Sequence, residues 1–464
     1  MNGAPASTLV CAGCGAPAPA VLPFRCTRAG AGDGVDHVLR RRLDPAQVVY
    51  PVEAGEANPF LRYRTLLHGY QAAIAAGESD AGFVVRVQRL NRAVEAVDGR
   101  GFRGTPFAPA ERLGEALGLD PGRLWVKDET GNVSGSHKAR HLMGVLIALE
   151  GEGEADGRAP LAIASCGNAA LAAAVLARAA ARELHVFVPP WAHPRVVARL
   201  EALGARLPLC ERAPGAAGDP CYLRFREAVA GGAIPFCCQG PDNGLTVEGG
   251  ATLAWEMVDA LGARPLDRLF VQVGGGALAS ACALGFADAV RLGRLARAPR
   301  LHAVQTAGGF PLVRAYDRVV ARLLARISPA PALDPADREP VADFLAHPQR
   351  ATEVAEELAY AARHRAEFMW PWESEPKSLA TGILDDETYD WLAGVEAMLA
   401  TGGYPVVVDE RTVAAAERAG RETTGIDADA TGTAGLAGLM QLLAAGVTPR
   451  DETVALLFTG VRRG

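Results

Sequence analysis

The sequence predicts an α/β protein in which parallel sheets are covered by helices on both faces. From about residue 100, short apolar runs of strand length alternate with longer helical runs. Polar, glycine-containing loops follow several of the strand-like runs. The first 45 residues lack this alternation and contain three of the nine cysteines. We therefore expect an α/β body of two or more domains behind a short Cys-containing, ribbon-like N-terminal segment.

The apolar runs predict strands at 124–127, 161–164, 184–188, 269–273 and 301–305. The longer periodic runs predict helices at 137–150, from 169, at 196–203 and at 436–443. Gly204 ends the third of these helices, and Ser134 or Ser136 lies near the cap of the first. The polar, proline-containing stretch 328–340 predicts a surface excursion. Ligands of such sheets bind at the carboxyl ends of the strands.

Composition excludes several classes of function. The chain has 464 residues and a net charge of -6, which provides no basic field for nucleic acid and no polybasic patch for a membrane. The start of the chain lacks the basic segment and apolar core of a signal peptide. The longest apolar candidate, 161–181, is interrupted by polar residues. We expect a soluble, cytoplasmic protein without nucleic-acid or membrane partners.

The N-terminal segment carries a candidate metal site. Cys11 and Cys14 lie two residues apart with Gly15 behind them, a spacing typical of a zinc knuckle. Cys26 and His37 are the candidates for the third and fourth ligands. A full ribbon has a second cysteine pair, so the pattern leaves two alternatives open: a bound zinc ion, or a degenerate ribbon without metal.

Lysine is scarce in this chain. Only Lys127, Lys138 and Lys377 occur among 47 basic residues. Arginine stays protonated and is a poor nucleophile, whereas a lysine amine can lose its proton and attack a carbonyl. Lys138 precedes a long apolar helix and is the candidate for a Schiff-base lysine. The alternative is that the arginine bias reflects composition alone.

A run of three glycines follows the strand predicted at 269–273. Bare glycines expose consecutive backbone N–H groups, and the start of a helix adds positive potential, so this turn predicts a phosphate site. Its residues are Gly274, Gly275, Gly276 and Ala277. A tight turn without ligand is the alternative. A dinucleotide site would have an acid at the end of the next strand, which ends in Gln305, so a monophosphate fits better.

Two further loops precede helices. The first contains Ser165, Cys166, Gly167, Asn168 and Ala169. Its N–H groups and hydroxyl can bind a carboxylate, and the amide of Asn168 can donate to a phenolate-like oxygen. The second loop offers a hydroxyl from Thr431 or Thr433 ahead of the helix at 436–443. Each loop taken alone is also consistent with ordinary helix capping.

Taken in chain order, these motifs resemble the fold-type II pyridoxal-phosphate enzymes, the tryptophan synthase beta superfamily that includes threonine synthase, threonine dehydratase and cysteine synthase. The resemblance runs from about Thr105 to the C-terminus and includes the segments 125–129 and 248–252. It implies two doubly wound domains with parallel sheets and the cofactor in the cleft between them. Residues 46–145 and 245–464 would form the large cofactor domain and 146–244 the small substrate-loop domain, behind the ribbon-like segment 1–45.

The resemblance also implies roles for individual residues. Lys138 would hold the aldehyde of pyridoxal 5'-phosphate, and Asn168 would bond the ring hydroxyl oxygen. Thr431 would face the pyridine nitrogen, with Thr433 in reserve. The phosphate would bind at Gly274, Gly275, Gly276 and Ala277. The substrate would contact Ser136, Ser165, Cys166, Gly167 and Ala169. Lys127 is expected to form a salt bridge near Asp128 and Glu129, and Lys377 to lie in a loop near the cofactor.

The expected activity is that of a lyase. A neutral hydroxyl at the pyridine nitrogen favours expulsion of a β-group over transamination. We expect β-elimination from a serine- or threonine-like amino acid to a 2-oxo acid and ammonia. Replacement at the β- or γ-carbon, as in threonine synthase or cysteine synthase, is the alternative, and a non-catalytic regulatory protein is the second.

Two details bear on the substrate, and one on the oligomeric state. His137 and Ala139 stand where threonine synthases carry an aromatic residue and an acid, which argues against a phosphohomoserine substrate. The sequence shows no obvious basic cluster for a substrate phosphate. The resemblance implies a homodimer.

Overall fold

The structure is a computed structural model that describes residues 6–30, 32–51, 55–151, 153, 158–211, 218–327, 333–374 and 376–463. The strands are β1 (Ser7–Cys11), β2 (Leu39–Leu43), β3 (Phe107–Pro109), β4 (Leu124–Asp128), β5 (Leu161–Ala164), β6 (Leu184–Phe187), β7 (Ile234–Pro235), β8 (Arg268–Gln272), β9 (Arg300–Thr306), β10 (Val406–Val408) and β11 (Val454–Phe458). The helices are α1 (Pro59–Arg62), α2 (His68–Ala75), α3 (Asp80–Asp98), α4 (Glu111–Ala116), α5 (Lys138–Gly151), α6 (Asn168–Ala179), α7 (Pro194–Ala202), α8 (Pro220–Ala230), α9 (Thr246–Leu261), α10 (Ala277–Arg291), α11 (Pro311–Arg326), α12 (Arg338–Ala346), α13 (Ala351–Arg363), α14 (Trp391–Thr401), α15 (Glu410–Thr424) and α16 (Ala434–Ala444).

The large sheet has the strand order β10-β9-β8-β11-β4-β3. All its neighbouring strands are parallel except the edge pair β3 and β4. In β11, Val454 is in register with Leu124 of β4 and Arg268 of β8, so the last strand of the chain lies in the middle of the sheet. Every residue of β8 and β11 is buried, as expected of parallel strands covered on both faces. The predicted α/β class with parallel sheets is confirmed.

The small sheet is a separate parallel sheet of order β6-β5-β7. Single bridges at Arg206 and Leu209 extend it beyond β6. Its strands fall within residues 161–235 and are connected by α6, α7 and α8. The apolar, alanine-rich α6 is buried along most of its length because small side chains let it pack closely against neighbouring elements.

Helix α5 crosses α9 closely near its middle, at Gly144. A Cβ placed on Gly144 would lie 2.9 Å from the Cα of Gly249, and one placed on Gly249 would lie 2.2 Å from the carbonyl oxygen of Arg140. Only glycine allows two helix backbones to come this close. The glycines of the 248–252 motif therefore hold α9 against the helix that begins with Lys138.

The N-terminal segment is a small antiparallel pair, β1 with β2, in which Ser7 is in register with Leu43 and Cys11 with Leu39. This agrees with the ribbon-like segment expected from the sequence. The segment carries its own small buried cluster, made of Cys11, Ala16, Cys26 and Leu39.

The predicted strands and helices are found within two residues of their expected bounds. The surface excursion predicted at 328–340 is partly outside the described residues, which resume at 333. The described residues of this stretch, 333–340, are exposed or half-buried, as the prediction requires. Arg338 begins α12, whose buried residues Val341, Ala342 and Leu345 lie beyond the predicted stretch. Within the described residues, the helices are too short or too polar to span a bilayer.

Candidate active site

The residues just before Lys138 are tied to the carboxyl end of β11. The N–H of His137 donates to the carbonyl of Thr459 (3.1 Å), and Ser136 forms a β-bridge with Gly460. Because β11 is a central strand, this places Lys138 at the carboxyl edge of the large sheet, where ligands of parallel sheets bind.

Lys138 is the first residue of α5 and is half-buried. Its amine forms no hydrogen bond or ion pair with the residues that the structure describes. Two carboxyl groups sense its charge. Burial raises the pKa of Asp385 to about 6 and that of Asp390 to about 7, and the positive charge of Lys138 opposes both shifts. The Lys138 amine therefore lies near two carboxyl groups but is bonded to neither of them.

We name residues 134–141 the lysine segment, and its two histidines are neutral. Burial lowers the pKa of His137 well below its ordinary value and that of His141 to about 3, and the charge of Lys138 adds to both shifts. Their rings pack edge to face with centroids 5.7 Å apart. Nδ1 of His137 faces the Thr459 carbonyl at 3.1 Å, and Nδ1 of His141 faces the Thr246 carbonyl at 2.8 Å. Both rings therefore serve as packed, hydrogen-bonded supports for the start of α5.

The glycine turn, defined as Gly274, Gly275 and Gly276, joins β8 to α10. Side chains are excluded from it on steric grounds. A Cβ on Gly274 would lie 2.4 Å from Oδ2 of Asp385, and a Cβ on Gly276 would lie 3.0 Å from Cγ2 of Thr388. Gly276 also has a φ of +96°, which favours glycine. The turn is a cradle of bare backbone at the N-terminus of a helix, where anions bind.

The segment 383–390, which we name the acidic segment, packs over the glycine turn. The N–H of Asp390 donates to the carbonyl of Gly275 (2.9 Å). The N–H of Gly275 in turn bonds the carboxyl of Asp385 and opposes the rise of its pKa. The glycine turn therefore already engages one acidic group of its own chain. Neither Asp385 nor Asp390 was predicted, because two acids in a polar stretch are usually solvated.

Asn168 lies beside the same end of β11. Its Oδ1 accepts a hydrogen bond from Nε of Arg463 (3.0 Å), and its Nδ2 is 2.6 Å from where a Cβ of Gly460 would be. Residues 165–169 form the loop that we name the Asn168 loop. Since Gly460 also pairs with Ser136, this loop and the lysine segment meet at the carboxyl end of β11.

The rest of that loop is half-buried and lies ahead of α6, as predicted. The N–H of Gly167 donates weakly to Oγ of Ser165 (3.4 Å), and burial raises the pKa of Cys166, so its thiol is neutral. Ala169 is in the first turn of α6. None of the residues 165–169 has a charged side chain.

Three threonines, Thr431, Thr433 and Thr459, are candidates for the hydroxyl that contacts the ligand. Oγ1 of Thr431 accepts a hydrogen bond from the N–H of Gly382 (2.9 Å), while the buried Thr433 donates to the carbonyl of Asp429 (3.0 Å). Thr459, directly after β11, accepts from Nε2 of Gln272 (2.6 Å). Thr459 was not among the predicted site residues. The signal that could have identified it is the apolar run before it, which was not read as a strand.

A buried ion network lies beneath the lysine segment. Arg140 binds Glu129 (2.8 Å) and Glu256 (2.7 Å), and Lys127 binds Glu256 (2.5 Å) and the carbonyl of Thr105 (2.7 Å). Arg140 and Lys127 are both fully buried. The salt bridge expected for Lys127 is present, but its partner comes from α9 and not from the acids that follow it in sequence.

The remaining predicted residues lie elsewhere. The backbone of Lys377 packs against Gly308 next to the carboxyl end of β9. The four predicted metal ligands converge in the N-terminal segment, on β1 and the loops that lead to β2.

Arginines from separate parts of the chain line two adjoining cavities of about 220 and 260 Å³. They are Arg100, Arg195, Arg199, Arg462 and Arg463. The first cavity is also lined by Ser134, Gly135 and the acid Asp98. The arginines come from parts of the chain that are far apart in sequence, so the sequence shows no contiguous basic motif for them.

A family model described as pyridoxal-phosphate dependent enzyme matches residues 100–367. The match covers more than half of the chain and includes the lysine segment, the Asn168 loop and the glycine turn. The chain belongs to the pyridoxal-phosphate-dependent enzyme family.

Curated relatives of this enzyme include a threonine synthase from Methanosarcina acetivorans, 27% identical over 365 residues that cover 77% of this chain and 74% of the relative. An L-serine dehydratase from Saccharomyces cerevisiae is 29% identical over 195 residues, which cover 40% of this chain and 56% of the relative. Among solved structures, the processed form of threonine deaminase isoform 2 from Solanum lycopersicum is similar with a TM-score of 0.56 at 15% identity, over 83% of this chain and 91% of that one. This last similarity concerns the fold alone.

The residues of the enzyme fit pyridoxal phosphate. The glycine turn is a cradle that a Cβ would fill, and it already attracts an acidic group. Around the site, the buried hydroxyls of Ser136, Ser280 and Thr306 have no hydrogen-bond partner among the described residues. Buried polar atoms without partners are costly in a finished site, so these hydroxyls are available to a ligand.

Proposed function

We propose that this enzyme catalyses β-elimination from a serine- or threonine-like amino acid, giving a 2-oxo acid and ammonia. One observation carries the proposal. The amine of Lys138 has no bonded partner in the described part of the chain, and it begins α5 at the strand edge reached by the glycine turn and Asn168. An amine without a counter-ion in a site of this kind is suited to covalent and acid–base chemistry.

Pyridoxal phosphate supplies an electron sink for negative charge that develops on the α-carbon of an amino acid. In our proposal the amine of Lys138 would hold the cofactor aldehyde and, when free, would take up and return the α-proton of the substrate. The N–H groups of the glycine turn and of Ala277 bind the phosphate. The amide of Asn168 donates to the ring oxygen.

A neutral hydroxyl is the proposed partner of the ring nitrogen. Thr431 is the candidate from sequence, and Thr459 is a second one because it ends the strand to which the residues before Lys138 are bonded. A threonine hydroxyl cannot keep the nitrogen charged as a carboxylate would, which weakens the electron sink and favours expulsion of a β-group.

The substrate carboxylate is proposed to bind at the loop 165–169. The N-terminus of α6 presents unbonded N–H groups with positive potential there, and Ser165 adds a hydroxyl. We propose Ser136, Cys166, Gly167 and Ala169 as the other residues of this lining. The neutral thiol of Cys166 adds no charge that would repel the carboxylate.

Replacement of the threonine synthase type is the second candidate. Two observations favour it: a curated relative that covers 77% of the chain is a threonine synthase, and an arginine-lined cavity lies beside Ser134 and Gly135. Such a cavity suits a substrate with a second anionic group. The homodimer and the cytoplasmic location remain predictions. The N-terminal cysteine cluster has no role in either reaction scheme.

A spectral screen of the purified full-length protein tests the proposal. We expect bound cofactor with an absorption band that shifts on addition of one amino acid from a panel that includes phosphorylated ones. Formation of oxo acid and ammonia without a second substrate supports elimination, whereas a requirement for an added nucleophile or release of phosphate supports replacement. Lys138→Arg keeps the charge and should abolish turnover while the protein stays folded. Turnover by this variant, or protein that binds no cofactor, would contradict the proposal.

A further inference from the structure

We propose that the N-terminal segment binds one structural zinc ion through the thiolates of Cys11, Cys14 and Cys26 and the imidazole of His37. The ligand atoms of these four residues all lie within 4.8 Å of one another. Sγ of Cys14 is 3.5 Å from Sγ of Cys26, and Sγ of Cys11 is 3.4 Å from Nδ1 of His37. Ligands around tetrahedral zinc, with Zn–S bonds of about 2.3 Å, are separated by about 3.8 Å. The four side chains therefore already have nearly the spacing that one ion requires.

The backbone around the cluster is arranged for thiolate ligands. The N–H of Cys14 points at Sγ of Cys11 (3.5 Å), and the N–H of Arg28 points at Sγ of Cys26 (3.4 Å). Gly15 has a φ of +71°, which lets the chain turn back after the first cysteine pair. Donors aimed at two of the sulfur atoms compensate the negative charge that metal binding requires on them.

The fourth ligand is oriented by a carboxylate. Nε2 of His37 is 2.8 Å from Oδ2 of Asp33, so Nδ1 is the nitrogen that faces the cysteines. Asp33 is itself fixed by the N–H groups of Gly30 (2.9 Å) and Val35 (3.1 Å). A carboxylate behind a ligating histidine is the usual outer shell of zinc sites, since it sets the tautomer and the ring orientation.

The segment needs such an ion because it has little core. Leu9, Phe24 and Leu43 pack into the main core, but the cluster around the four ligands has only Cys11, Ala16, Cys26 and Leu39. So few buried side chains give the loops between β1 and β2 little apolar support of their own. Four protein ligands leave no open coordination position, which indicates a structural and not a catalytic ion. Three thiolates and an imidazole favour zinc over calcium, magnesium or manganese.

The loop before His37 also docks on the body of the enzyme. The N–H of Asp36 donates to the carbonyl of Ala362 at the end of α13 (2.7 Å), and the N–H of Arg365 donates to the carbonyl of Gly34 (2.7 Å). The zinc ion would therefore hold not only the segment but also its contact with α13.

Metal analysis of the full-length protein, produced without a polyhistidine tag, tests the site. We expect about one zinc ion per chain, and a decrease of about tenfold or more in Cys14→Ser and Cys26→Ser. Cys210→Ser is the matched control, a buried cysteine outside the cluster that should keep its zinc. Protein without metal, iron in place of zinc, or full zinc content in both cluster variants would overturn the proposal.

Two measurements on the wild-type protein do not depend on the folding of a variant. Replacement of zinc by cobalt(II) should produce the visible bands of tetrahedral thiolate coordination. Removal of the metal by a chelator should speed hydrogen exchange in residues 12–38 and at the end of α13. Octahedral cobalt spectra would overturn the ligand assignment, and unchanged exchange would overturn the structural role.

Discussion

Lys127 and Lys138 occupy opposite electrostatic environments although only a short loop separates β4 from α5. The amine of Lys127 is fully buried, 2.5 Å from a carboxylate oxygen of Glu256 and 2.7 Å from the carbonyl of Thr105. The amine of Lys138 is half-buried, and within the described ranges no acceptor binds it. Lys127 therefore has a structural role, whereas the amine of Lys138 is available to a ligand.

The difference shows how the protein separates stability from chemistry. Burial lowers the pKa of Lys127, and Glu256 opposes that shift, so the lysine stays charged because its partner is in place. Arg140 completes the network, two residues after Lys138 on the same helix, and therefore points to the opposite side of it. The network therefore anchors the first turn of α5 from below and leaves the Lys138 amine unbonded at the strand edge.

The largest expected effect is on the free energy of unfolding, when each of the two lysines is replaced separately by methionine. Lys127→Met removes one partner of a buried ion pair and should destabilise the cofactor-free protein by about 3 kcal/mol. Lys138→Met should change stability by less than about 1 kcal/mol. Thermal unfolding of both variants measures the difference. Lys377→Met controls for loss of a lysine outside both environments, and equal losses at Lys127 and Lys138 would refute the comparison.

A smaller effect, on the affinity for the cofactor, is expected at Asp385. Its carboxyl lies against the glycine turn and is affected by the charge of Lys138. Burial raises its pKa to about 6. A phosphate bound on the turn repels the ionised carboxylate, so cofactor binding favours the protonated form. The affinity for pyridoxal phosphate should therefore fall by about tenfold as pH rises from about 5 to about 8, and Asp385→Asn should remove this loss.

Titration of cofactor fluorescence at several pH values measures this effect. The ionisation of the cofactor phosphate is common to both proteins, so the ratio of their affinities isolates Asp385. Asp386→Asn changes the net charge equally and serves as the control. A ratio that does not vary with pH would show that the carboxyl does not sense the bound anion.

The smallest expected effect is on the cofactor absorption band and kcat, and it distinguishes Thr459 from Thr431 as the partner of the ring nitrogen. If the hydroxyl at the end of β11 contacts the ring nitrogen, Thr459→Val should shift the cofactor absorption band and lower kcat several-fold with little change in KM. Thr431→Val should then leave the band in place, since its hydroxyl accepts from the Gly382 N–H. A shift in Thr431→Val alone would support the assignment made from sequence.

Local pattern was sufficient for much of the protein. Strand-helix alternation predicted the parallel α/β body, and the glycine turn, the Asn168 loop and the lysine segment were each located because their motifs are contiguous in sequence. The family match to residues 100–367 agrees with that interpretation. The spacing of Cys11 and Cys14 likewise identified the N-terminal cluster, because a knuckle is a local turn.

Only the tertiary structure decided which distant residues meet. Glu256 pairs with Lys127 because Gly144 and Gly249 let two helices touch, and the arginine cavity is assembled from α7, the end of α3 and the C-terminus. Thr459 and Asp385 joined the site because β11 is inserted between β4 and β8 and because the acidic segment packs on the glycine turn. Periodicity reports on neighbours along one helix or strand, whereas these contacts depend on strand order and helix packing, which no local pattern encodes.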